Sequence, residues 1–211
     1  RELGVMLSSA EPIQLGGGIG IGYCLAATNG NGANALLNDN TSVALVGRLE
    51  VSVDDLVRVG GGYLLNDRTD GELPNLFEES DSGFSVDLQF DWRGLELFGQ
   101  YTSLVTGFPT AGVRNQEQTA LHGQISYRID ALPFTFAPGY RFAMFDPHAE
   151  ASRADSSDAD DMGLVYHTAG LRIWIPETPI TTLIDYTIAG EETGSREVQN
   201  NRFEAIVQII W

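Results

Sequence analysis

Charged side chains recur at every second position along several otherwise apolar segments of this chain. Segment 46–52 places Arg48 and Glu50 on one side of an extended strand and aliphatic residues on the other, because strand side chains alternate between two faces. The charged residues that we predict to lie on such polar strand faces are Arg48, Arg58, Asp87, Asp91, Arg93, Arg128, Arg141 and Arg172. Arginine binds carboxylates and other anions through a planar fork of donors. These faces can therefore attract charged solutes or form structural ion pairs between strands, and the sequence leaves both interpretations open.

Other residues that could bind a metal or act in catalysis occur in less specific patterns. Four aspartates lie close together in one acidic segment: Asp155, Asp158, Asp160 and Asp161. They could gather a divalent cation, which prefers carboxylate oxygens, but a solvated acidic loop explains the same run. His122, His148 and His167 fall on separate segments, and no nucleophile stands at a recognisable spacing from a base. We predict no catalytic residue, no bound metal and no cofactor.

The glycine run 16–22 superficially resembles a phosphate-binding loop. No helix follows it whose N-terminus could receive a phosphate. We expect a strand instead, with one face of small residues formed by Gly18, Gly20, Gly22, Cys24 and Ala26. Such a face lets another segment approach closely or accommodates curvature of the strand.

Composition restricts the class of protein. All 12 basic residues are arginine, against 29 acidic residues and a net charge of −17, so no basic stripe is present to neutralise nucleic-acid phosphates. No apolar run approaches the roughly 20 residues of a membrane helix, while 24 glycines and short apolar runs indicate an all-β protein. The single cysteine, Cys24, excludes an intrachain disulfide. No amino-terminal leader is recognisable, so we expect a mature or truncated chain.

Eleven strand-like segments follow one another along the chain. We predict strands near residues 2–10, 15–27, 42–53, 55–65, 83–93, 95–105, 119–130, 134–146, 162–175, 181–190 and 200–211. The predicted short links are 11–14, 54–55, 93–94, 130–133 and 176–179, and the long ones are 28–41, 66–82, 106–118, 147–161 and 191–199. Regular alternation of tight turns and long polar loops is typical of a meander barrel.

Aromatic residues mark the two ends of the apolar strand faces. Trp92, Tyr127, Phe134 and Trp211 lie at one end of their strands, and Phe203 lies towards the other end of the last strand. Aromatic girdles at both lipid–water interfaces, and a final strand that closes the sheet, are typical of outer-membrane barrels. We therefore predict membrane-interface and barrel-closing roles for these five residues.

These features predict one all-β domain over residues 1–211, a transmembrane antiparallel meander β-barrel whose polar faces line an aqueous lumen. Lipid-facing and core-facing residues are both apolar, so a soluble adhesin or binding module is an alternative, as is an outer-membrane hydrolase built on a barrel. Eleven strands put the two chain ends on opposite sides of a membrane, whereas single-chain bacterial barrels have even strand numbers. We expect at least one further strand, from preceding residues or from another chain.

Several short motifs occur in an order that points to a known family. They are Arg1-Glu-Leu-Gly-Val5, Ala27-Thr-Asn-Gly-Asn-Gly-Ala-Asn34, Asn38-Asp-Asn40, Val46-Gly-Arg-Leu49, Asp185-Tyr-Thr187, Asn200-Asn-Arg-Phe203 and Val207-Gln-Ile209. The first four resemble the middle of the phosphate-selective porin O/P family, and the last three resemble the final hairpin of that family.

The resemblance implies the C-terminal part of a longer porin with about sixteen strands, assembled as a homotrimer in the bacterial outer membrane. Its partners would be the lipid bilayer, lipopolysaccharide and small solutes or ions. Because arginines and carboxylates are mixed on the predicted wall and lysine is absent, we expect passive diffusion with general or weak selectivity. The alternatives are a phosphate- or anion-specific porin and a barrel that serves mainly as an anchor for a partner assembly.

Overall fold

The computed structural model describes residues 3–30, 42–72, 75–109, 114–131, 134–149, 163–175, 177–191 and 200–209. These residues form thirteen strands: β1 (Gly4–Ser8), β2 (Ile13–Gly16), β3 (Ile19–Thr28), β4 (Ala44–Val53), β5 (Val57–Glu72), β6 (Asn75–Trp92), β7 (Leu95–Gly107), β8 (Gln116–Tyr127), β9 (Ile129–Ala131), β10 (Phe134–Asp146), β11 (Leu164–Trp174), β12 (Ile180–Glu191) and β13 (Arg202–Ile209).

The strands are hydrogen-bonded in the order β1-β3-β4-β5-β6-β7-β8-β10-β11-β12-β13, while β2 pairs with β3 and β9 with β10. Sequence neighbours are therefore sheet neighbours, as in a meander. The predicted all-β antiparallel class is confirmed. β1 stands at one end of this order and β13 at the other, and closure into a barrel stays a prediction.

Two units can be distinguished from the contacts within the chain. The first unit comprises Arg1–Asp87 and Thr102–Thr119, and the second comprises Leu88–Tyr101 and Ala120–Trp211. The single domain over residues 1–211 stays a prediction.

The turn of the first hairpin lies on the glycine run and not at residues 11–14. Gly16, Gly17 and Gly18 have φ angles of 101°, 62° and 79°, a left-handed conformation that glycine adopts without steric cost. Both β1 and β2 pair with β3, so residues 9–12 interrupt one edge instead of turning it. The prediction that Gly18 belongs to a small-residue strand face is therefore wrong.

The predicted long loop at 66–82 is also wrong, because β5 continues to Glu72 and β6 begins at Asn75. Opposite charges meet across this extension: Arg68 lies 2.6 Å from Glu79 and 3.0 Å from Asp81. The prediction failed because strands were assigned from alternating apolar residues, and segment 66–82 has no such alternation.

The second unit follows the predicted strands closely. β10 to β13 pair in continuous antiparallel register, with Arg141 opposite Thr168 and Thr187 opposite Arg202. The predicted strand 119–130 is divided into β8 and the short β9, which pairs with the start of β10. The tight turn at Arg93–Gly94 is confirmed, with φ angles of 47° and 87°.

The apolar strand faces are exposed and several small polar residues are buried, which is the reverse of what soluble proteins show. Among the described residues no large side chain is fully buried, and the buried hydrophobic residues are alanines. Leu49 is 57% exposed and Val207 is 64% exposed. Small polar residues such as Ser52 and Thr168 are buried instead. A soluble sheet packs its apolar face against another layer, whereas these strands leave that face uncovered.

Candidate functional site

Arg48, Glu50, Arg58 and Asp87 form one ion-pair network on the polar face of the first unit, which we call the first-unit wall. Arg48 donates to both carboxylate oxygens of Asp87, from Nη1 at 2.6 Å and from Nη2 at 3.0 Å. Its Nη2 also donates to Glu50 Oε2 at 3.2 Å, and Glu50 Oε1 lies 3.2 Å from Arg58 Nε. With two arginines and two carboxylates, the network is formally neutral.

Strand register explains how these side chains meet. In the β4–β5 ladder Ser52 is opposite Arg58 and Glu50 is opposite Gly60, so the Arg58 and Glu50 side chains are diagonal neighbours on one face. Arg48 and Asp87 are on β4 and β6, on either side of β5 in the sheet order. Two strand spacings amount to about 10 Å, and the Arg48 side chain covers that span by passing over Gly60.

The second unit carries two arginines of a different kind. Arg141 and Arg172 lie on its polar face, opposite Thr168 and Ala137 in the β10–β11 ladder. Within the described ranges neither arginine forms an ion pair; the pairs of this unit are Arg128–Asp130 and Arg202–Glu204. The Arg172 guanidinium lies 5.6 Å from the ring centre of Trp174, in cation–π range.

Two cavities open on this face, which we call the second-unit wall, and both are lined by Arg141 and Thr168. The larger has a volume of about 620 Å³ and is lined by His122, Arg141, Ala143, Tyr166, Thr168, Thr187, Asn200 and Arg202. The smaller, of about 140 Å³, includes Arg172 and Asp185. The hydroxyls of Thr168 and Thr187 are 2.9 Å apart and are hydrogen-bonded to each other. Guanidinium donors are the groups on this wall suited to attract an anion.

The other predicted wall residues lie outside these two groups. Arg93 occupies the β6–β7 turn, 5.2 Å from the ring centre of Trp92. Arg128 lies 3.6 Å from Asp130, and both side chains are more than half exposed, so this pair contributes little. Asp91 accepts a hydrogen bond from Gln89 at 2.8 Å.

The predicted interface aromatics lie on exposed apolar faces. The four that the structure describes are Trp92, Tyr127, Phe134 and Phe203, each exposed over about half of its surface or more. Trp211 lies outside the described residues, as do the aspartates of segment 155–161. The interface role of the aromatics stays a prediction.

Sequence reasoning missed two features of the first unit. One is the cluster of Arg68, Glu79 and Asp81, in which Glu79 is only 7% exposed. Opposite charges in segments 66–72 and 75–82 were the available signal for that hairpin. The other is the role of Gly60, which depends on strand register and has no signature in the sequence.

Other kinds of site find no support in the described part of the chain. No group of three or more His, Cys, Asp or Glu side chains is placed to hold a metal ion. No helix there is both long and apolar enough to span a membrane. Comparison with family models, curated proteins and solved structures found no match for this chain. The resemblance to the porin O/P family therefore stays a prediction.

Proposed function

We propose that this chain forms part of an outer-membrane β-barrel through which small solutes and ions diffuse passively, with general or weak selectivity. In this proposal the exposed apolar faces contact the lipid bilayer and lipopolysaccharide, and the polar faces line water. No cofactor takes part, and the assembly is a homotrimer.

The observation that carries the proposal is the reversed exposure of the two strand faces. Large apolar side chains such as Val5, Leu49, Val59, Ile188 and Val207 are exposed on both units. Transferring apolar surface out of water is favourable by about 25 cal/mol per Å², so a soluble protein would cover these faces. Lipid covers them at no such cost, and the opposite faces then supply the polar lumen of a membrane barrel.

An anion-specific porin, selective for phosphate, is the second candidate. It is favoured by Arg141 and Arg172, which form no ion pair in the described residues and line adjoining cavities. Arginine binds phosphate as a bidentate fork. The neutral first-unit wall and the strongly acidic composition favour the general pore instead.

Conductance of the purified barrel that contains this chain, measured in planar lipid bilayers, tests the proposal. A general pore gives stepwise conductance that rises in proportion to salt concentration and a permeability ratio close to unity. Conductance that saturates at low phosphate concentration would favour the anion-specific porin. A protein that stays soluble without detergent and never inserts would contradict both candidates.

A further inference from the structure

Arg48 reaches Asp87 only because the strand between them has no side chain at one position. A Cβ built on Gly60 would collide with the Arg48 guanidinium, lying 2.7 Å from its Cζ and 2.8 Å from Asp87 Oδ1. Gly60 is itself buried beneath the ion pair. Its φ is not positive, so the backbone conformation does not require glycine. Glycine is required because the Arg48 and Asp87 side chains fill the space that a Cβ would occupy.

We infer that Gly60 is a positioning residue for ion selectivity, because it lets Arg48 lie flat against the first-unit wall in a bidentate pair with Asp87. This inference rests on the proposed function. In the lumen, a guanidinium held on Asp87 presents a neutral pair to a passing ion. The same guanidinium displaced towards the lumen presents its positive charge first, while the carboxylate stays at the wall.

The displacement breaks the pair with Asp87 but requires no movement of the backbone. The atoms that an added Cβ would meet are the ends of side chains, not backbone. Arg48 is also 36% exposed, so water is available to solvate a released guanidinium. Glu50 is already a second partner of Arg48 on the same strand, 3.2 Å from Nη2.

The decisive variant is Gly60→Ala, which changes no formal charge. We expect the permeability ratio, measured as a reversal potential across a KCl gradient, to shift towards anions by up to about twofold, because a unit charge several ångströms from the ion path changes local ion concentration by that order. Gly61→Ala is the matched control, since its Cβ would point to the opposite face and meet only the Ser85 carbonyl oxygen, at 3.8 Å. The ratio of the control should equal that of the wild type.

A double variant separates positioning from a general effect on the pore. If Gly60 acts through the pair, Gly60→Ala should add little once Asp87→Asn has already released Arg48. Equal shifts in both backgrounds would contradict the inference, as would a Gly60→Ala ratio identical to that of the wild type. Absence of conductance in the wild type would instead overturn the proposed function.

Chemical modification provides a readout that does not depend on the alanine variant folding. Phenylglyoxal should modify Arg48 more slowly than Arg141, which has no carboxylate partner among the described residues. In Asp87→Asn, the modification rate of Arg48 should rise towards that of Arg141. A rate unchanged by Asp87→Asn would show that the pair does not hold Arg48, and would overturn the inference.

Discussion

Some arginines on the polar faces are paired with a carboxylate and others are not. We expect the paired arginines to contribute to stability and the unpaired ones to ion selectivity. Arg48 neutralises Asp87, which is only 11% exposed, whereas Arg141 has no ion-pair partner in the described ranges. Leaving a largely buried carboxylate without its donor costs about 1–3 kcal/mol. Removing an unpaired, cavity-lining guanidinium leaves no such group behind.

We therefore expect Arg48→Gln to lower the free energy of unfolding by about 1–3 kcal/mol and Arg141→Gln to change it by less than about 0.5 kcal/mol. Urea titration of the refolded protein measures both. Arg141→Gln should nevertheless shift the permeability ratio towards cations, because a positive charge is lost from the wall. Equal destabilisation by the two variants would contradict the distinction between paired and unpaired arginines.

At the scale of residues, sequence alternation did not reveal which charged side chains contact each other. Arg48, Glu50 and Asp87 lie together on one strand face. Their contacts depend on register and on the gap at Gly60, which a period of two residues does not reveal. Arg93 was assigned to a strand face but lies in a turn with φ of 47°.

At the scale of elements, β13 offers a test of which face meets lipid. Val207 and Gln208 are neighbours on opposite faces of this strand, opposite Thr182 and Thr181 of β12. Val207→Arg should cost about 2–4 kcal/mol if the residue lies near the bilayer midplane, whereas Gln208→Arg faces water and should cost less than about 1 kcal/mol. Guanidinium-induced unfolding from lipid vesicles measures the free energy of unfolding of both variants. Equal losses in the two variants would contradict the assigned orientation of β13.

The β5–β6 hairpin predicts a local effect of one ion-pair cluster. Arg68→Gln leaves Glu79 and Asp81 without their shared cation, so like charges should open the far end of the hairpin. We expect amide hydrogen exchange in residues 66–69 and 78–81 to accelerate at least about tenfold, equivalent to about 1.4 kcal/mol. Exchange in β4 should not change, and Arg114→Gln serves as a control from the same unit. Unaltered exchange in the hairpin would show that backbone pairing alone holds it.

The elements were predictable where apolar residues alternate and unpredictable where they do not. The predicted strands 134–146 and 181–190, which lie in apolar segments, agree with the bounds of β10 and β12 to within a residue. The first hairpin was misplaced because the turn was predicted at residues 11–14, whereas Gly16, Gly17 and Gly18, all with positive φ, form it. The polar ends of β5 and β6 carry charge alternation, which the apolar period does not detect.

At the scale of the whole molecule, the proposed barrel requires the exposed apolar strand faces to meet lipid and the polar faces to line water. Ala143 and Ala169 provide one alanine on each strand face for substitution by cysteine. Ala143 lines the larger cavity of the second-unit wall, and Ala169 is exposed on the apolar face, opposite Tyr140. Cys24 is the native thiol and must first be replaced, by Cys24→Ser.

Single-channel recording during thiol modification tests this requirement most directly. In the Cys24→Ser background, a charged, membrane-impermeant thiosulfonate should lower the conductance of Ala143→Cys in discrete steps. It should leave the conductance of Ala169→Cys unchanged, because in the proposed barrel that thiol faces lipid. The same response in both variants, or loss of conductance only in Ala169→Cys, would contradict the account.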